Sequence, residues 1–168
     1  PRGTVRLRLR NNHSVFDLTG PNCCELLDEK GLKELQARLG PDPIRPSANY
    51  EDVWMKIRNS KVPIGKILLE QRKISGVGNI YRAEALFATQ INPNRQAKEL
   101  EEREFQRLWD WLVTYMRLGV TRNRIATSID STQKLMIYGQ EQCPQCQGRV
   151  ETWDLGGRRM FACLHCQK

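Results

Sequence analysis

Ile74-Ser75-Gly76-Val77-Gly78-Asn79-Ile80-Tyr81 lies between two stretches of helical pattern, and its reading decides what kind of fold this chain builds. Two glycines in five residues permit backbone conformations, and a close approach from outside, that other residues deny. The helix that follows offers unpaired amides and the positive end of its dipole to an anion. A phosphate group fits such a loop. A nucleotide fits less well, because no strand leads into the loop and no Gly-Lys-Ser/Thr follows it. Asn79 has a second reading as an ordinary helix N-cap. The local pattern leaves the two open.

Working outward, Ile64, Ile67 and Leu68 mark one apolar face before the loop, and Ile80, Ala83 and Phe87 mark another after it. Phe105, Leu108, Trp109, Leu112 and Met116 recur at helical spacing and predict a longer helix whose aromatic residues are core. Further upstream, helical patterns run from about Leu32 to Leu39 and from Tyr50 to Ile57. Between them Gly40-Pro-Asp-Pro-Ile-Arg-Pro46 breaks any helix. At the start, Val5, Leu7 and Leu9 alternate with arginines, Asn11-Asn12 makes a turn, and Val15, Phe16 and Leu18 follow, which predicts a half-exposed hairpin. The chain begins so abruptly on strands that it reads as the end of a β domain. After Arg124 a Ser/Thr-rich linker runs to Gln133.

The last thirty residues form a unit too short to fold without a staple, and the cysteines supply one. Cys143-Pro-Gln-Cys146 and Cys163-Leu-His-Cys166 are separated by sixteen residues, the two-pair spacing of a four-thiolate zinc site. Between them, Arg149 to Trp153 and Arg159 to Ala162 read as two short strands around Gly156-Gly157. Four thiolates leave no open coordination position, so one Zn2+ is expected to stabilise the fold and not to activate water. His165 reads as a bystander, and the adjacent Cys23 and Cys24 read as buried thiols. Arg149, Arg158 and Arg159 flank the glycine turn, where a rigid finger would present them to a groove.

Composition bounds the partners. The net charge is +8, and residues 61–168 carry 17 basic against 11 acidic side chains, a field that favours polyanions. No run of apolar residues is long enough for a membrane span, no secretory signal precedes the first strand, and paired cysteines at metal spacing suit a reducing, intracellular setting.

Three stretches then become recognisable: Ile67 to Gln71, Ile74 to Phe87, and Ile91-Asn-Pro93. Together they closely resemble the helix-two-turns-helix segment of the endonuclease VIII / formamidopyrimidine-DNA glycosylase family. The C-terminal unit, with Gly157-Arg158 and Cys166-Gln167, resembles that family's zinc finger, and the opening hairpin with Leu39 to Pro43 resembles the end of its N-terminal β-sandwich. The resemblance implies an α+β fold: the end of a β-sandwich over residues 1–30, a helical DNA-binding domain over 31–133, and a zinc-finger β-hairpin over 134–168. It implies that Asn79 holds a phosphate beside the lesion, which settles its two readings toward contact. It also implies that Arg158 reaches the phosphates of an extruded nucleotide, with Gly76, Gly78 and Gln167 also at the DNA. Cys143, Cys146, Cys163 and Cys166 match the zinc ligands.

The implied partner is double-stranded DNA containing an oxidised base or an abasic site, bound by a monomer. The implied activity is excision of oxidised bases, with cleavage of the abasic site through a Schiff base. Met160, and Gly20-Pro21 with Glu25-Leu-Leu27, look more like the endonuclease VIII branch, whose substrates are mainly oxidised pyrimidines. One departure stands out. The family's nucleophile is an N-terminal proline followed by glutamate, whereas Pro1 is followed by Arg2-Gly3, and Asp17 is the first acidic residue. Pro1 is therefore expected to be a fragment boundary and the chain to bind DNA without catalysis. A non-catalytic zinc-ribbon nucleic-acid-binding adaptor is the alternative.

Overall fold

The opening alternation of arginines and aliphatics folds as expected into an antiparallel hairpin, β1 (Val5–Arg10) and β2 (Val15–Thr19), in the computed structural model. The structure describes residues 4–20, 23–127 and 134–168. Pro1 and most of the Ser/Thr-rich linker thus lie outside the described residues. Asn11 makes the turn, its Oδ1 accepting from the amides of His13 and Ser14, both at 2.8 Å. Arg8 and Asp17 face each other across the hairpin in a bidentate pair at 2.6 Å. Helix α1 (Glu29–Ala37) starts earlier than the apolar pattern at Leu32, because Asp28 Oδ1 accepts from the Gly31 amide and caps the first turn. These elements form a unit of their own, residues 1–37, and Cys23 and Cys24 in it are exposed. The expectation of buried thiols is therefore corrected: no core is built around them here.

Residues 38–168 form the second unit. Asn49 caps α2 (Tyr50–Ile57) by accepting from the Glu51 amide at 3.0 Å. A short α3 (Ile64–Ile67) leads through two tight turns to α4 (Asn79–Ala88). Gln71 staples those turns: its Oε1 accepts from the Gly76 amide at 2.9 Å and its Nε2 donates to the Val77 carbonyl at 3.1 Å. Gly76 sits at φ +82, a conformation that favours glycine. Helix α5 (Glu102–Arg122) extends beyond the five-residue apolar pattern at both ends. A capping box between Glu101 and Glu104 sets its start, and Asn123 in the left-handed region ends it.

The ribbon consists of β3 (Glu151–Asp154) and β4 (Arg159–Ala162), antiparallel, with Glu151 opposite Ala162 and Asp154 opposite Arg159. Gly156 and Gly157 both take positive φ, +73 and +75, as a two-residue type I′ hairpin turn requires. Helices and ribbon share one core: Trp54 stacks on Phe105, while Ile137, Val150, Met160 and Ala162 join Phe87, Leu108 and Leu112 in the same apolar cluster. The fold is α+β, with all of this second unit's helices preceding its strand pair. Among the described residues no helix is long and apolar enough to cross a membrane.

Gly65 is where α3 meets the ribbon. A Cβ there would lie 2.8 Å from Leu155 Cδ2 and 3.0 Å from the Pro93 carbonyl oxygen. Gly65→Ala is therefore expected to destabilise the unit by about 1–3 kcal/mol through overpacking. Urea unfolding checks this, and an unchanged midpoint would refute close packing at that point.

Candidate nucleic-acid interface and metal centre

The N-terminus of α4 is capped by Gly78, not by Asn79, and no side chain bonds its first-turn amides. Those amides lack intrahelical partners by construction. Gly78 has an ordinary negative φ of −103, and a Cβ added there would meet nothing within 4 Å. Neither strain nor packing within the chain requires glycine at this position. What its small size leaves is room for approach from outside.

Asn79, released from capping, turns toward the ribbon. Its Nδ2 donates to the Arg159 carbonyl at 2.9 Å, across eighty residues of sequence, and its Oδ1 accepts from Arg82 Nη2 at 2.5 Å. Arg82 is wholly buried. Its Nη1 donates to the carbonyls of Leu155 (2.7 Å) and Gly65 (3.2 Å), and its Nη2 also reaches the carbonyls of Arg158 (3.3 Å) and Arg159 (3.4 Å). Burial draws this guanidinium down to about 10, and the charge of Arg158 nearby pushes the same way, with Asp154 opposing. The side chains of Arg158 and Arg159 remain exposed, and Lys66 lies against Gly156 at the hairpin tip. The structure thus brings Asn79, Gly78 and Arg158 to one place, on two elements joined by a buried cation.

Gln167 is elsewhere. The resemblance groups it with the DNA contacts, but its side chain is fully buried. Its Oε1 accepts from the Cys163 amide at 2.9 Å, and its Nε2 donates to the Ile91 carbonyl at 2.9 Å. Both ends of the amide are engaged inside the protein, so Gln167 clamps the second cysteine knuckle to the loop after α4. Arg149 lies just ahead of β3, at the opposite end of the hairpin from its tip.

Two residues with no motif of their own belong to this site's support. Arg82 is one. Glu84 is the other: fully buried, it accepts from the amides of Met136 (2.7 Å), Ile137 (2.8 Å) and Tyr138 (2.8 Å). Both fall within the Ile74 to Phe87 stretch that carries the resemblance, but as a pair of charges in the middle of an apolar run, with nothing in the pattern to mark them as buried.

The four paired cysteines converge, with all their sulfurs within 4.8 Å of one another. Cys143 and Cys166 sulfurs are 3.8 Å apart, and those of Cys146 and Cys163 are 3.5 Å apart. A tetrahedral ion with metal–sulfur bonds of ~2.3 Å would set sulfurs ~3.8 Å apart, close to the spacing of these two pairs, so the cluster is the right size for a metal ion. Backbone amides hold each knuckle: Gln147 donates to the Cys143 carbonyl and Cys166 to the Cys163 carbonyl. Burial works to raise the Cys163 thiol, but backbone amides and neighbouring sulfurs outweigh it and bring it down to about 7. Cys166 is pushed up to about 12, first by burial and then by sharing protons with the other sulfurs. Sulfurs this crowded cannot all ionise unless a cation sits among them. His165 is exposed and outside the cluster.

Comparison with known proteins agrees with this geometry. The formamidopyrimidine-DNA glycosylase H2TH domain matches residues 39–131. An Endonuclease 8 1 of Mycobacterium tuberculosis is 37% identical over 180 aligned positions, covering 99% of this chain and 67% of the relative. A formamidopyrimidine-DNA glycosylase of Streptococcus thermophilus is 32% identical over 157 positions, covering 86% of this chain and 58% of the relative. Among solved structures, a Lactococcus lactis Fpg in complex with DNA containing an abasic site superposes with a TM-score of 0.69 at 28% identity. That match covers 82% of this chain and 54% of the other. The chain thus spans about two thirds of the mycobacterial relative and just over half of the chain in that complex. On the matched domain and these identities, the chain belongs to the endonuclease VIII / formamidopyrimidine-DNA glycosylase family.

Proposed function

We propose that this chain is the DNA-holding part of a base-excision glycosylase and abasic-site lyase, with Asn79 and Arg158 gripping the phosphates beside an extruded nucleotide and one zinc ion shaping the finger that carries Arg158. The observation that carries this reading is their convergence. An amide donor, a helix N-terminus whose glycine cap leaves room for approach from outside, and an exposed arginine meet at one surface. Donors and cations so arranged suit a phosphate backbone and read no base directly. Extruding a base costs a few kcal/mol, and contacts to the displaced backbone offset that cost.

The whole protein's reaction would begin with attack of an amine on the sugar C1′, departure of the damaged base, and a Schiff base whose β-elimination breaks the strand. Oxidised pyrimidines are the substrate class we favour, because the mycobacterial relatives are named as endonuclease 8 proteins. Zinc is the fitting ion, since four clustered thiolates in two Cys-x-x-Cys pairs make a closed, all-sulfur site with no open position. Thiolates that must stay reduced favour a setting inside the cell. A single copy presents the complete grip, so the reading needs no second protomer.

Binding to a duplex containing an abasic-site analogue, followed by borohydride reduction, tests the reading. Salt-sensitive binding is expected, and affinity that ignores salt would refute a phosphate grip. A covalent adduct would place the attacking amine within this chain, whereas binding without an adduct would assign it to a segment outside it. Arg158→Ala is expected to weaken binding roughly 10- to 100-fold, as loss of a charged hydrogen bond does. Its urea midpoint should stay put, because the side chain is exposed. Unchanged affinity would remove Arg158 from the interface.

A further inference from the structure

Asn79 has two ends of opposite character, and only one of them suits a phosphate. The carboxamide NH2 can donate to an anion, and the oxygen would repel it. What decides which end faces outward is Arg82. With Oδ1 held by Nη2 at 2.5 Å, flipping the amide would set two N–H groups against a guanidinium. Nδ2 carries two hydrogens, and one goes to the Arg159 carbonyl. Among the described residues nothing takes the second.

The same guanidinium bonds the carbonyls of Leu155, Arg158 and Arg159, on both sides of the Gly156-Gly157 turn, and that of Gly65 in α3. We propose that Arg82 is a positioning residue for the phosphate grip: it locks the Asn79 amide with Nδ2 outward and fixes the backbone that carries Arg158. The proposal rests on the phosphate reading of Asn79 and adds how that residue is aimed. Arg82 Nη2 also lies 3.4 Å from the Arg159 carbonyl oxygen, so the residue that holds Oδ1 helps to place the acceptor that holds Nδ2. Lysine cannot substitute, because a single ammonium cannot span three segments with directed bonds.

A double-mutant cycle on this chain, read as affinity for a duplex with an abasic-site analogue, tests the idea. Asn79→Ala and Arg82→Lys should each lose roughly tenfold or more, and the double variant should bind no worse than the weaker single one. Penalties that multiply would overturn the proposal and leave Arg82 a purely structural residue. If Asn79→Ala binds as tightly as the parent, the phosphate reading itself fails and takes this proposal with it. Should Arg82→Lys not fold, nitrogen-15 NMR of the unaltered chain decides. Two resolved Asn79 side-chain amide protons are expected, only one of which shifts on adding duplex. A pair that shifts together would overturn the proposal.

Discussion

Stripping the metal from Cys143, Cys146, Cys163 and Cys166 with a chelator is expected to abolish binding to an abasic-site duplex and to unfold the ribbon. Structural zinc contributes on the order of 10 kcal/mol or more to small folds of this kind, more than the whole stability of many domains. The loss should not stop at the ribbon. Ile137, Val150, Met160 and Ala162 belong to the same apolar cluster as Phe87 and Leu112, so the helices lose part of their cover when the hairpin leaves. Calorimetry should accordingly show the helices, left with part of their cover gone, melting at a lower temperature than in the metal-bound chain. The pH dependence has a definite sign. Each ligand must be a thiolate, so as pH falls the ion has to displace more protons and its affinity falls. Cys166, whose thiol is held up to about 12 without an ion, is the ligand whose proton is hardest to displace. Full DNA binding by a rigorously metal-free sample would refute a structural metal.

Glu84→Ala should be the most damaging single substitution away from the metal. The carboxylate accepts three backbone amides, from Met136, Ile137 and Tyr138, in a wholly buried position. Alanine leaves those donors without an acceptor, at an expected cost of about 3–5 kcal/mol. Glu84→Gln retains an acceptor oxygen of similar reach and should cost less. Chemical denaturation of the two variants measures the difference. Equal stability of Glu84→Ala and the parent chain would mean that the 136–138 segment does not depend on this carboxylate.

These two predictions concern residues of very different visibility in the amino-acid sequence. The cysteine knuckles are legible because metal geometry acts over three or four residues, so spacing alone carries it. The glycine loop and the face of α5 are legible for the same reason: turn conformation and helical period are local. Arg82 and Glu84 are not. Periodicity treats a charge as a mark of the solvent side, yet both lie inside, held chiefly by backbone groups 52 to 77 positions away in sequence. Gln167 misleads in the other direction. The resemblance groups it with the DNA contacts, and only its two partners, the Cys163 amide and the Ile91 carbonyl, reveal a clamp. The start of α1 at Glu29 escapes the periodicity because an Asp cap, not an apolar face, sets it.

The burial of Arg82 and Glu84 also implies an expected order of assembly. Both sit on α4, yet neither neutralises the other: their partners are chiefly backbone groups of residues 136–159. On a growing chain, α4 is complete long before those partners have been synthesised. Until they arrive, closing the bundle over this cation and anion would bury charges lacking most of their partners, at a cost of several kcal/mol. Closure of the bundle over α4 is therefore expected to await the cysteine finger, and a chain ending before residue 134 should be more open, and more readily cut by protease, than the full chain.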